Sequence, residues 1–319
     1  MTKEQNWDVI VIGGGAAGLS AALMLGRARR RTLVVDAGRP RNRFAAHMHG
    51  VLGHDGRDPA ELLAIGRTEA ERYGVAVTEG RVERIDPNED DVTVALSSGE
   101  TVLARAVIVA TGMSDRLPDV PGLAERWGTT VLHCPYCHGW EVRDKRLAVL
   151  AADPMALHQV QLVRQWSARV TLLAGGSDPL EPDVEQRLLS RGIDIVTEPV
   201  VEVLGDGATM TGVRLADGRI VGVDAIFTQG QPVFHDDFLA HLDPARTESP
   251  MGAGLAVDEM YKTSIHRVWA AGNVVNAGAT VPVSSAAGSM AGGIVNMVLV
   301  AEEFDRAVAA DVANAVPAG

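Results

Sequence analysis

Short, wholly apolar runs alternate along this chain with longer stretches in which apolar residues recur at helical spacing. Residues 9–12 (VIVI), 33–35 (LVV) and 106–109 (AVIV) are apolar throughout, the mark of strands buried on both faces of a parallel sheet. An Ala- and Leu-rich stretch separates the first two. Strand, helix and strand in that order predict a βαβ unit over 8–38, and with it an α/β fold. Asp58-Pro59 followed by Gly74 predicts a helix with an N-cap, a proline in its first turn and a terminal glycine. Residues 283–314 are Ala-rich and are predicted to be helical despite several glycines. Charges and glycines interrupt the longer apolar runs, so no membrane span is expected.

The first strand ends in Gly13-x-Gly15-x-x-Gly18. Gly13 permits a tight turn. Gly15 lets a pyrophosphate approach the backbone at a helix N-terminus, and Gly18 lets helix and strand pack closely. Asp36 ends the second strand, where a carboxylate accepts from a ribose hydroxyl. Strand, glycines, helix, strand and acid together predict an adenine dinucleotide site. Two further segments, 106–112 (AVIVATG) and 263–275 (TSIHRVWAAGNVV), resemble flavoprotein segments of the two-dinucleotide-domain disulfide reductases, which favours FAD over NAD. In that group the second segment usually ends Gly-Asp; here it ends Gly272-Asn273.

The unit repeats. Shifted by 138 positions, 9–12 falls on 147–150, Arg31 on Arg169 and 33–35 on 171–173. The chemistry does not repeat. Gly13, Gly15, Gly18 and Asp36 become Ala151, Asp153, Ala156 and Ala174, and Pro154 removes a backbone donor. No arginine cluster follows to hold a 2′-phosphate. The second unit is expected to keep the fold and to have lost NAD(P)H.

Between the repeats, residues 132–141 read LHCPYCHGWE and hold the chain's 2 cysteines, Cys134 and Cys137. C-x-x-C followed by histidine has three readings. Covalent haem belongs to exported proteins, and the N-terminal MTKEQNWDVIVIGGG shows no secretory pattern. Zinc needs two more ligands, which His133 and His138 lie too close in sequence to supply. The redox reading fits best, and no metal is expected. Pro135 suits a first helical turn, a helix start favours a thiolate, and His138 is a proton carrier. Cytoplasmic residence is expected, where a C-x-x-C is catalytic rather than structural.

Composition narrows the partners. Hydrophobic residues make up 46%, charged residues 22%, and the net charge is −12. That balance argues against nucleic acid and against an anionic membrane surface. Gly 34 is high, as nucleotide sites require.

Over nearly its whole length the chain resembles the low-molecular-weight thioredoxin reductases. That family follows its C-x-x-C with an acid. His138 here, with the lost second cradle, is more similar to a sub-branch: the FAD-dependent dithiol oxidases that close disulfides in small natural products of the holomycin and gliotoxin type. The resemblance implies two Rossmann-like domains. A discontinuous FAD domain would take 1–115 and 243–319, and an inserted degenerate NAD(P)-type domain with the C-x-x-C would take 116–242. It implies FAD as cofactor, with Ala16, Ala37, Arg43, His49, Ala110, Thr111, Gly112, Gly272 and Asn273 joining the glycines and Asp36 around it. Cys137 would face the flavin, Cys134 would form the mixed disulfide, His138 would be the base, and 47–56 would run beside the FAD. It also implies a homodimer and a place in antibiotic biosynthesis.

The chemistry reads the same way. A small-molecule dithiol reduces the cysteine pair, FAD takes the electrons, and with no nicotinamide site O₂ is the simplest acceptor, giving H₂O₂. Two rivals remain open at this level. One is a thioredoxin-reductase-like disulfide reductase with an electron donor other than NADPH. The other is a flavin-bound redox sensor without turnover.

Overall fold

The structure is a computed structural model and describes residues 6–152 and 155–315. The chain divides into two units. Met1–Pro40, Glu61–Ser114 and Phe234–Gly319 form the first, and Arg41–Ala60 with Asp115–Val233 form the second. The sequence-based boundaries placed 41–60 with the first and 234–242 with the second. The packing groups them the other way: Phe44 covers Gly128, and Leu239 is buried beside Ile85.

In the first unit β1 (Asn6–Ile12), α1 (Ala16–Arg27) and β2 (Thr32–Asp36) form the expected βαβ. Next come α2 (Pro59–Glu71), β3 (Ala76–Glu79), β4 (Val82–Pro87), β5 (Val92–Leu96) and β6 (Thr101–Val109). The sheet order is β3-β2-β1-β6-β5-β4. The β3-β2-β1-β6 part is parallel, and β5 and β4 extend it as an antiparallel hairpin. The apolar runs are explained by burial on both faces. Ile10, Ile12, Leu33 and Val35 enter one core, while Val9, Val11 and Val34 enter the other. Each fully buried side chain of this kind stabilises the fold by roughly 1.5–3 kcal/mol.

After Arg41–Ala60, the second unit is entered through β7 (Met113–Arg116) and continues with β8 (Val131–Leu132), α3 (Pro135–His138), β9 (Leu147–Leu150), α4 (Ala156–Val163), β10 (Val170–Leu173), α5 (Pro182–Leu189) and β11 (Ile193–Val196). An antiparallel patch of β12 (Val200–Leu204), β13 (Gly212–Leu215) and β14 (Ile220–Val221) follows, then β15 (Ala225–Phe227) and β16 (Gln231–Phe234). Its main sheet is β11-β10-β9-β15-β8. The two connecting strands β7 and β16, at the turn-rich joints read from the sequence, pair with each other.

The repeat holds to the level of register. Val9 pairs Thr32 in the first unit, and Leu147 pairs Val170 in the second, each displaced by 138. Gly13 N donates to Val35 O, and Ala151 N donates to the matching Leu173 O.

The chain re-enters the first unit through β17 (Arg246–Ser249), β18 (Gly252–Leu255), β19 (Val268–Ala270) and α6 (Val281–Ala315). β19 pairs with β6 in parallel. Against the expectation of no span, Val281–Val312 of α6 is long and apolar enough to cross a membrane, with mean hydropathy 1.5. Its apolarity has a local use. Gly288 and Gly292 admit the α1 backbone at Ala17 and Ala21, and Ala291, Val295 and Leu299 are fully buried. Glu302 and Glu303 pair with Arg105 near the end of the same helix.

Candidate active site

β8 brings the chain to the edge of the second sheet, where Leu132 pairs Phe227 and accepts from Thr228 N. His133 and Cys134 follow directly. Cys134 has extended backbone and caps α3: its Sγ accepts from Cys137 N at 3.3 Å, and its carbonyl accepts from His138 N at 3.1 Å. Pro135 takes the first helical position, where no donor is missed. The turn brings the sulfurs together, and Cys137 Sγ donates to Cys134 Sγ at 2.7 Å.

The two sulfurs differ in acidity. The hydrogen bond from Cys137 lowers the Cys134 pKa to about 7, helped by backbone N–H groups of Cys137 and Tyr136 and by the Arg41 charge, against burial. The same bond, then burial, pushes Cys137 up. Cys134 is the more acidic sulfur of the pair and Cys137 the less acidic.

Two imidazoles flank the cysteines, both kept neutral by burial. Burial lowers His138, the Glu141 charge opposes it, and His49 reinforces it. Burial and the Arg41 charge push His133 down to about 4, with Asp115 opposing. Arg41 is locked by two bonds to Asp115, 2.7 and 2.6 Å. Gln159 of α4 donates to the His133 carbonyl at 2.7 Å, a Cβ on Gly139 would strike the Trp166 ring, and that ring makes a T-shaped contact with Tyr136. Among the described residues no three His, Cys, Asp or Glu side chains are arranged to hold a metal.

The first unit holds the nucleotide cradle. Ile12, Val109 and Ala270 lie in register at the C-terminal ends of β1, β6 and β19, where α/β sheets bind ligands. Gly13 has φ +107°, and a Cβ there would strike the Ala110 carbonyl. A Cβ on Gly18 would strike the Gly13 carbonyl. Gly15 is different: nothing lies within 4 Å of its Cβ position. It caps α1 without a side-chain partner, so the first N–H groups from Ala16 onward are left for an anion. Asp36 ends β2 with Ala37 next to it; its Oδ2 accepts from Arg67 at 2.9 Å and its Oδ1 from Gly38 N at 3.1 Å.

At the other strand ends, Thr111 Oγ1 is buried with no partner beside Ala110 and Gly112 (φ +67°), and Gly272 (φ +83°) abuts Ala17. Asn273 Nδ2 donates to the carbonyls of Asn276, Ala277 and Ala279 at 3.0, 3.2 and 2.9 Å. An aspartate with this side-chain placement would turn a carboxylate on three carbonyls, whereas Asn273 offers them a donor. Its Oδ1 remains an acceptor. An open pyrophosphate turn, a terminal acid and an orphaned hydroxyl fit an FAD.

A family model for the pyridine nucleotide-disulphide oxidoreductases matches residues 7–288. The chain belongs to that family. Thioredoxin reductase tcpT of Claviceps purpurea is 32% identical over 322 residues, covering 95% of this chain and 97% of that protein. Thioredoxin reductase sirT of Leptosphaeria maculans is 32% identical over 284 residues, covering 84% and 86%. The crystal structure of HlmI superposes with a TM-score of 0.93 at 40% identity, covering 99% of both chains. The chain is therefore a thioredoxin-reductase-like oxidoreductase, of a family whose members bind FAD.

Within this oxidoreductase the second cradle has changed. Ala151 has no left-handed backbone where Gly13 has one, and Ala152 N turns back onto the Leu150 carbonyl. Ala174 is buried where Asp36 stands in the first unit. Asp153 and Pro154 lie outside the described residues. The expected cofactor neighbours Arg43 and His49 fall in the second unit, Arg43 stacked on Phe44 at 4.2 Å.

Sequence reasoning missed several partners. Gly14 leaves room for the Asp36 carboxylate, which a Cβ would strike; the Gly13-Gly14-Gly15 run was the available signal. Arg67, Arg41 and Asp115 gave none, because their partners are 31 and 74 residues away.

Proposed function

We propose that the protein is an FAD-dependent dithiol oxidase that closes a disulfide in a small-molecule, natural-product dithiol, with O₂ as final acceptor. The observation that carries the reading is the unequal sulfur pair, Cys137 Sγ donating to Cys134 Sγ at 2.7 Å with His138 next in sequence. A substrate thiolate attacks Cys134 Sγ. The Cys134–Cys137 bond breaks, and Cys137 keeps the electron pair and takes a proton. His138, neutral because buried, accepts the proton of the second substrate thiol. That thiolate attacks the substrate sulfur of the mixed disulfide and expels Cys134.

A thiol whose pKa is about 7 leaves faster than an ordinary one, which favours Cys134 as the substrate-side sulfur. The cyclic disulfide departs, and the dithiol left behind has its proton on Cys137, as the pair is arranged. When bound, FAD supplies the two-electron acceptor that restores the disulfide and gives the electrons to O₂ as H₂O₂.

Gly13, Gly15, Ala16, Gly18, Asp36, Ala37, Ala110, Thr111, Gly112, Gly272 and Asn273 would hold the FAD. The altered turn at Ala151 and the missing acid at Ala174 support loss of the nicotinamide cofactor. The reading places the enzyme in the cytoplasm, as a homodimer in antibiotic biosynthesis. An exposed apolar stripe on α6, with Met290, Met297, Phe304 and Val308, supports the dimer, which sedimentation measures directly.

The test is O₂ uptake with a small dithiol. One H₂O₂ per disulfide, lost in Cys134→Ser and Cys137→Ser, is expected. O₂ uptake that ignores added dithiol contradicts the reading.

A further inference from the structure

In the repeat α4 stands where α1 stands, and the two helices use the same position differently. Ala21 of α1 is fully buried, and Gly292 lets α6 approach its backbone. Shifted by 138 positions, Ala21 falls on Gln159. Gln159 is 3% exposed, and its Nε2 donates to the His133 carbonyl at 2.7 Å. That carbonyl belongs to the peptide that joins His133 to Cys134. Just past α4, Trp166 meets Gly139 so closely that a Cβ there would strike its ring, and the Trp166 carbonyl accepts from Asp144 N at 2.9 Å. The helix and the turn after it therefore grip the redox segment on both sides of α3.

A buried amide is a poor way to fill this position. Gln159 Oε1 is buried with no partner, a penalty that leucine, of similar size, would not carry. The first unit fills the matching position with an apolar residue. What the amide adds is an N–H on the peptide next to the first cysteine. Cys134 needs such a hold: it has extended backbone, φ −107°, and caps a helix of only 4 residues, too short to fix its own geometry. We propose that Gln159 is a positioning residue of the redox pair: its N–H holds the His133–Cys134 peptide and so keeps Cys134 Sγ where Cys137 N and Cys137 Sγ meet it, at 3.3 and 2.7 Å. The inference rests on the reading of Cys134 as the substrate-side sulfur.

The test compares two variants of the intact protein. Gln159→Leu keeps the volume and removes the donor. Val160→Ala, at its fully buried neighbour in α4, loosens the same core and leaves the donor in place. Gln159→Leu is expected to keep its melting temperature within about 4 °C of wild type, because one unpaired acceptor replaces another. Its midpoint for Cys134 alkylation rises from near pH 7 by about 0.5 to 1 in pH, because both contacts on the sulfur loosen. With a small dithiol its kcat falls about threefold to tenfold, and KM is unchanged. Val160→Ala lowers the melting temperature and leaves the midpoint and kcat as they were. A wild-type midpoint and kcat in Gln159→Leu overturn the proposal. So does a Val160→Ala that moves both as far, since a merely structural role would do that. If the wild-type protein turns over no dithiol while the Gln159→Leu midpoint moves, the oxidase reading fails and the positioning role stands. If Cys134→Ser keeps full turnover, the substrate-side assignment fails and this inference with it.

Discussion

Cys137 Sγ donates to Cys134 Sγ across 2.7 Å, and the backbone N–H of Cys137 points at the same sulfur. Two contacts converge on one sulfur. That asymmetry separates an attacking or leaving sulfur from a proton-holding one within a single turn of helix. It predicts that alkylation of Cys134 in the reduced protein titrates near pH 7. Cys137→Ala removes the side-chain donor and moves the midpoint upward. Iodoacetamide rates against pH, with the modified residue mapped by mass spectrometry, check both values.

His133 makes stability depend on acidity. Its folded value, about 4, lies below the usual 6.5, so the unfolded chain binds the proton more readily. The stabilisation is complete above about pH 6.5, falls as pH drops, and is gone below about pH 4, with a total of at most about 3 kcal/mol. Thermal unfolding across this window is expected to show the decline, and His133→Gln is expected to flatten it.

Gly13 and Gly15 are predicted to fail in different ways. Gly13→Ala meets the Ala110 carbonyl with a left-handed backbone, so it destabilises the fold itself. Gly15→Ala meets nothing within 4 Å and leaves stability within about 1 kcal/mol, while its methyl occupies the pyrophosphate's approach. The ratio of flavin to protein absorbance, measured beside urea unfolding, separates the two: folded but flavin-poor for Gly15→Ala, unstable for Gly13→Ala.

Asn273→Asp is expected to loosen the turn over 276–279. The substitution replaces a donor shared by three carbonyls with a carboxylate, at a cost of about 1–3 kcal/mol. A lower temperature of flavin release is the readout.

Much of this was legible because it is local. The glycine turn, the terminal Asp36 and the capped C-x-x-C are set by neighbours within a few residues, and two-sided burial writes itself as unbroken apolar runs. The 138-residue repeat was legible for the same reason, and the register of Leu147 on Val170 repeats that of Val9 on Thr32. What the sequence hid is long-range. Arg67 reaches Asp36 from α2, and His49 reaches Glu141 across 92 residues of chain, so no spacing announces either pair. The apolarity of α6 was equally ambiguous, because packing against α1 and crossing a membrane ask for the same composition.

Electrons are expected to enter through the cysteine pair and not through a nicotinamide. Anaerobic reduction of the bound flavin tests it, with a small dithiol and NADPH added to separate samples of the intact protein. Bleaching by the dithiol, none by NADPH, and return of colour on admitting air are expected. Rapid bleaching by NADPH would contradict it and restore a working nicotinamide site to the second unit.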